Sequence, residues 1–192
     1  MKNTLALVLF FLSFSSLFAQ KMLSKNSYVH IYSYTPIEDI EASLNDGMAI
    51  LNIETKEIAY ILNIQSLTFK NALMQEHFNE NYMESEKFPK ATLKGALSGN
   101  INFSKIGKYT LTVKGKLNMH GVDREISVSI ELNILKDKSV ILKTDFFVKC
   151  EDFGIKIPKL MFTRIAQDIK VSVESKFLNQ WGVNFIFQHL NL

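Results

Sequence analysis

The sequence has little cysteine, little proline and no excess of charge of one sign. Cys150 is the only cysteine among 192 residues, so no intramolecular disulfide forms, and we interpret it as a small buried hydrophobe. Pro36, Pro89 and Pro158 each lie at the edge of a predicted segment, where a missing backbone donor is tolerated. The 22 basic and 19 acidic residues are scattered, so nucleic acid is not expected as a partner.

The sequence also lacks the usual signatures of catalytic and metal sites. It contains no Gly-x-Ser-x-Gly nucleophile motif and no glycine-rich phosphate loop. Its four histidines, at positions 30, 77, 120 and 189, are too far apart to suggest the close ligand spacing of a structural zinc site. We therefore expect a protein that is not an enzyme, with no catalytic residues, no metal and no cofactor.

The amino terminus has the pattern of a secretory leader. Lys2 precedes an apolar run that extends to Phe18, and the small residue Ala19 is followed by polar residues. Residues 1–19 are therefore predicted to be a signal peptide, and residues 20–192 a single secreted or periplasmic domain. No later segment is apolar over the roughly 20 residues that a membrane-spanning helix needs, so stable membrane insertion is not expected.

Apolar residues alternate with polar ones through most of the remaining chain, which is typical of strands with one buried face. The clearest alternation lies in residues 125–134, and residues 109–120 alternate likewise, so we predict a hairpin between them through residues 121–124. Weaker alternation predicts further strands, for about eight in all, at residues 28–35, 48–54, 58–69, 91–99, 140–149 and 169–177.

Residues 71–83 break the alternation and are predicted to be helical, because their apolar residues fall on one face of a helix. About eight antiparallel strands with one short helix indicate an all-β barrel in which the helix caps one end. Packing of the helix against the outside of the sheet is the alternative. A barrel of this size either is filled by side chains or holds a slender ligand, and composition does not decide between the two.

Three stretches resemble the YceI family of secreted lipid-binding proteins. They are HFNENYMESEKFPKATLKG from residue 77, GKLNMHGVDR from residue 115 and EDFGIKIP from residue 151. The resemblance implies an extended, lipocalin-like antiparallel barrel whose apolar tunnel holds a polyisoprenoid chain, without a catalytic set. Residues 26–45 are only loosely similar, so the resemblance does not name the lipid. It also accounts for Gly95, Gly115 and Gly121, which let barrel strands bend.

The strand alternation and the family architecture together predict which side chains contact a bound isoprenoid lipid or isoprenoid quinone. His77 and His120 are candidates for a polar contact with the headgroup. At the mouth and along the wall of the apolar tunnel we expect Phe69, Leu73, Met74, Phe78, Leu111, Val113, Met119, Val128 and Ile130.

Two functions follow from these patterns. The first is sequestration or transport of a long-chain isoprenoid or other apolar lipid in the barrel. The alternative is a structural or interaction protein with a solidly packed barrel, whose edge or apolar tail at residues 181–192 engages a partner such as a second copy of the chain.

Overall fold

The computed structural model describes residues 21–35, 37, 39–158 and 165–179. The predicted signal peptide, the predicted tail and His189 lie outside these residues. The described chain is mostly antiparallel strand. The strands are β1 (Lys21–Ser33), β2 (Ile40–Asn52), β3 (Glu57–Asn63), β4 (Thr68–Phe69), β5 (Lys90–Ser98), β6 (Gly107–Met119), β7 (Val122–Ile134), β8 (Val140–Lys149) and β9 (Asp168–Asn179).

The sheet closes into an eight-stranded barrel. Its strand order is β1-β9-β8-β7-β6-β5-β3-β2, and β1 also pairs with β2, which joins the two ends of the sheet. The two-residue strand β4 adds to β2 outside this circuit. The predicted all-β barrel is therefore confirmed, and each of its eight principal strands pairs with a neighbour on both sides along at least part of its length.

Strands β6 and β7 form the longest hairpin, in register from Gly107–Ile134 at one end to Met119–Val122 at the other. His120 and Gly121 connect them, with positive φ angles of 52° and 73°. A two-residue turn of this kind matches the twist of the flanking strands. The hairpin prediction is confirmed, but the predicted turn at residues 121–124 is too long, because pairing resumes at Val122.

Two glycines face each other where β5 and β6 approach most closely. Gly95 and Gly115 are direct partners, and a Cβ atom built on Gly115 would lie 2.3 Å from the carbonyl oxygen of Lys94. A Cβ atom on Gly95 would similarly lie 2.6 Å from the carbonyl oxygen of Lys114. The backbones occupy the space that side chains would need, so glycine fits at both positions and a larger residue does not.

The first strands are longer than their alternation predicts. β1 begins at Lys21 rather than at Tyr28. The sequence pattern missed its first residues because a register shift between Leu23 and Tyr28 interrupts the alternation. β2 begins at Ile40 rather than at Met48, and its pairing with β1 shifts register between Leu44 and Gly47, which interrupts the alternation in its first half. The strand predicted at residues 58–69 is broken by the 3-10 turn Ile64–Ser66.

The helical segment predicted at residues 71–83 is confirmed, in two parts. Helix α1 spans Ala72–His77, and a wider π-helical turn follows at Phe78–Tyr82, closed by the Met83 N–H donating to the Phe78 carbonyl oxygen at 2.8 Å. We call residues 71–83 the lid segment. Among the described residues, no helix has the length and apolar character required to cross a membrane.

The barrel interior is packed differently at its two ends. The larger core cluster contains no side chain of the lid segment and includes Leu51, Leu132 and Phe177, each without exposed surface. Two smaller clusters lie at the other end and include or contact lid side chains such as Met83 and Phe78. One end is therefore closed by core packing and the other by the lid segment.

We predict that Gly115→Ala lowers the free energy of unfolding by about 1–3 kcal/mol, because its Cβ atom would force β5 and β6 apart. Denaturant unfolding monitored by circular dichroism measures this. Ser98→Ala on the exposed side of β5 is the control and should change stability by less than about 0.5 kcal/mol. Equal stability of the two variants would show that the close approach of these strands is not required.

Candidate functional site: an apolar cavity

The half of the barrel beneath the lid segment encloses a cavity of about 440 Å³. All eight barrel strands contribute side chains to its wall, and the lid segment covers it with Leu73, Met74, Phe78 and Tyr82. This volume lies within the range of about 300–1,000 Å³ that is usual for small-molecule sites. The lid segment is thus part of the cavity wall, as predicted, rather than packed outside the sheet.

The chemistry of the lining is almost uniformly apolar. None of the described lining residues is Asp, Glu, Lys or Arg, and most are Ile, Leu, Val, Met or Phe. An ionised group inside such a wall would have no partner to offset its desolvation. The polar exceptions are Tyr32, Ser33, Tyr60, Asn71, His77, Tyr82, Thr92, Thr144 and Cys150.

The start of the lid segment is fixed to the barrel by several contacts. The Asn71 side chain accepts from the Leu73 N–H at 2.9 Å, which caps α1. The Phe69 and Phe78 rings pack with their centroids 4.8 Å apart. Lys70 pairs with Glu41 of β2, and this hydrogen bond is the main cause of the lowered pKa of the Glu41 carboxyl. These contacts hold the helix across the mouth of the cavity.

The chain that follows the lid segment is fixed through His120. Its Nδ1 lies 3.0 Å from the Phe153 carbonyl oxygen and its Nε2 lies 3.2 Å from Glu84 Oε1. The Phe88 ring packs edge-on against the imidazole, with centroids 4.6 Å apart. A Cβ atom on Gly121 would lie 2.5 Å from this ring, so glycine is required beside it. The β6–β7 turn therefore ties together the chain after the lid segment and the chain after β8.

The predicted lining residues lie mainly where alternation put them. Phe69, Leu73, Met74, Phe78, Val113, Met119, Val128 and Ile130 all line the cavity. Leu111 does not line it, although it lies only two residues from Val113 on the same face of β6 and belongs to the same core cluster. His77 lies on the lid segment and lines the cavity, whereas His120 is not among the lining residues. Contact of these residues with a ligand remains a prediction.

Several lining residues lie on strands that the site prediction did not use. β8 contributes Phe146 and Val148, and β9 contributes Val171 and Val173. Their alternation was visible in the sequence, but only closure of the sheet shows that these strands face the same cavity. Tyr60 of β3 was also missed, and it lies at the deep end of the cavity.

Tyr60, which is half-buried, belongs to a chain of hydroxyl groups whose three serines are buried. Its Oη donates to Ser175 Oγ at 2.9 Å, and Ser175 Oγ donates to Ser27 Oγ at 2.8 Å. Ser27 Oγ in turn lies 3.1 Å from Ser24 Oγ. Burial raises the pKa of the Tyr60 phenol well above its usual range. These groups hydrogen-bond to one another, as polar groups removed from water must.

Cys150 begins the 3-10 turn after β8 and lines the cavity. Burial is the main cause that raises the pKa of its thiol from 9.0 to about 11, and the charge of Asp168 adds to the effect. The prediction of a buried cysteine is therefore confirmed. The described residues contain no group of three or more His, Cys, Asp or Glu side chains placed to hold a metal ion.

A closed eight-stranded antiparallel barrel around one apolar cavity, covered at one end by a helix, defines a lipocalin-like architecture. The model of the YceI-like domain matches residues 24–177, which include all of the barrel strands in whole or in large part. The chain belongs to the YceI family. No curated protein sequence matches it.

Solved structures show the same fold at low sequence identity. A polyisoprenoid-binding domain from Saccharophagus degradans, implicated in plant cell wall breakdown, is 12% identical with a TM-score of 0.71, over 84% of this chain and 99% of that one. BcnA from Burkholderia cenocepacia is 12% identical with a TM-score of 0.66, over 78% and 95%. The Campylobacter jejuni YceI protein is 17% identical with a TM-score of 0.60, over 77% and 88%.

We predict that Cys150 in the folded protein reacts with iodoacetamide at pH 8 about a hundredfold more slowly than in the protein unfolded in guanidinium. A pKa of about 11 instead of 9.0 leaves that much less thiolate, and the burial of Cys150 slows access further. Mass spectrometry of timed samples measures both rates. Equal rates would mean that the cavity wall at Cys150 is open to solvent.

Proposed function

We propose that this protein binds the chain of a long isoprenoid, or another long apolar lipid, in the cavity beneath the lid segment. The observation that carries the proposal is the composition of the cavity lining. All eight barrel strands contribute to it, and none of its described residues is Asp, Glu, Lys or Arg. A site of this composition selects an uncharged, apolar chain and rejects small polar metabolites.

The hydrophobic effect alone supplies the affinity. Burial of an apolar chain contributes about 0.8 kcal/mol per CH₂ group, so several isoprene units reach micromolar binding or better without any specific polar contact. The polar side chains at the mouth, Asn71, His77 and Tyr32, are the groups nearest to where a headgroup would remain. The proposal therefore places the apolar chain inside and the polar end of the lipid, or its quinone ring, at the lid segment.

Membership of the YceI family and the fold shared with a polyisoprenoid-binding domain support this ligand class over other apolar compounds. The proposal makes the protein a binding protein rather than an enzyme. The described part of its lining contains no Asp, Glu, Lys or Arg that could form an acid and base pair, and Cys150 is held as the thiol. We further infer that residues 1–19 direct export and that the protein sequesters or carries its lipid in the periplasm or outside the cell.

The alternative function, an interaction protein, assumes a solidly packed barrel. Only the end of the barrel away from the lid segment is packed in this way. There the interior is filled by the larger core cluster, whereas the other half is hollow. The apolar tail at residues 181–192, which was the reason to consider a protein partner, lies outside the described residues. A lipid carrier is therefore the function that the described residues favour.

We predict that Met119→Trp and Ile130→Trp each lower the affinity for an all-trans prenyl alcohol by about tenfold or more, equivalent to about 1.4 kcal/mol or more. Both side chains line the cavity, so the indole takes up the space of the ligand. Native mass spectrometry of delipidated protein titrated with the alcohol measures occupancy.

Ser127→Trp is the matched control, because Ser127 lies on the exposed face of β7 and its variant should bind like the wild type. Circular dichroism checks that every variant is folded. Binding by the folded cavity variants that equals the wild type, or a wild type that binds no prenyl alcohol, would contradict the proposed function.

A further inference from the structure

The cavity ends at a definite position along the barrel axis. On β3 the last residue that lines it is Tyr60. Leu62, two residues nearer the lid segment, lines the cavity, whereas Ile58, two residues further away, is packed in the larger core cluster at 2% exposure. On β9 the same change occurs between Val173, which lines the cavity, and Ser175, which is buried and does not. The end of the cavity is thus a layer across the barrel.

Tyr60 crosses the barrel interior within this layer. Its hydroxyl donates to Ser175 on β9, yet β3 and β9 are not neighbours, since β2 and β1 lie between them in the closed sheet. Adjacent strands are about 4.8 Å apart, so the bond joins well-separated parts of the wall. The Tyr60 ring also meets the Phe177 ring edge-on, with centroids 6.4 Å apart. The side chain therefore lies across the lumen between the cavity and the packed core.

The hydroxyl chain holds this ring in place. Ser24, Ser27 and Ser175 are each at most 2% exposed, and their hydroxyls are bonded within the chain that ends at Tyr60. Moving the ring aside would break the bond to the buried Ser175 hydroxyl and leave that hydroxyl without its donor, which is unfavourable. Tyr60 is consequently a fixed barrier, unlike a Leu or Met side chain that changes rotamer to admit a longer ligand.

We propose that Tyr60 is the stop that sets the length of the apolar chain this protein holds. The inference rests on the proposed function and adds the residue that determines chain-length specificity. The far end of the chain packs against the Tyr60 ring while the polar end remains at the lid segment. Each isoprene unit up to the stop adds buried surface, and each unit beyond it stays outside the cavity and adds little.

The test is a competition among all-trans prenyl alcohols that differ by one isoprene unit, added together to delipidated protein and read by native mass spectrometry. For the wild type, occupancy should rise with chain length and then level off. For Tyr60→Ala the levelling point should move to a chain about one isoprene unit longer, because the space of the phenol ring becomes available. Tyr60→Leu should give a smaller shift in the same direction and is the variant to use if Tyr60→Ala does not fold.

Two controls separate a stop from a general loosening of the barrel. Tyr60→Phe keeps the volume of the ring and its edge-on contact with Phe177, so its levelling point should move by less than that of Tyr60→Leu. Leu111→Ala opens space in the packed core outside the cavity lining and should leave the wild-type levelling point unchanged. A folded Tyr60→Ala or Tyr60→Leu protein with the wild-type profile, or the same shift in Leu111→Ala, would overturn the proposal while the proposed function stands. A wild type that binds no alcohol of any length would overturn both.

Discussion

Closure of the sheet by the two pairings of β1, with β2 and with β9, is the constraint on which the rest of the structure depends. Closure turns the inward face of every barrel strand toward one shared interior. It also requires the wall to bend, which the facing pair Gly95 and Gly115 permits because neither carries a side chain. The two halves of the interior that results differ, because one is filled by side chains and the other contains the cavity.

In one half, the interior is filled by the larger core cluster, with Phe177, Leu132 and Leu51 completely removed from solvent. This packing stabilises the barrel without any disulfide. In the other half, residues of the same apolar kind surround empty space beneath the lid segment. Tyr60 lies at the boundary, and its hydroxyl chain to Ser175 and Ser27 separates the packed half from the hollow half. Core packing thus stabilises one end of the barrel, and the other end is where we propose that the lipid chain binds.

The sequence predicts this fold well where alternation is undisturbed. Strand β7 has buried residues at Val128, Ile130, Leu132 and Ile134, as its pattern indicates. The alternation fails in β1, where register shifts after Leu23 interrupt the period, and at the start of β2. Local patterns report which face a residue occupies, and bulges or exposed apolar residues hide that signal.

The candidate site was predicted less completely for a different physical reason. Alternation places Leu111 and Val113 on the same inner face, but it does not say how far along the barrel axis each one lies, and only Val113 reaches the cavity. The hydrogen bond between Tyr60 and Ser175 joins residues 115 positions apart in sequence, so no local sequence pattern predicts it. His120 was a candidate headgroup contact because of its place at a hairpin end. Its ring instead bonds to Phe153 and Glu84, which only the folded chain brings together.

The proposed function requires that the cavity beneath the lid segment holds one apolar lipid chain in the cell. The most direct measurement is native mass spectrometry of the protein purified from its own cell envelope without delipidation, followed by organic extraction of whatever is bound. We expect protein cleaved after Ala19 that carries one prenyl lipid or prenyl quinone per chain. Protein that is empty as isolated, and still empty after incubation with prenyl lipids, would contradict it.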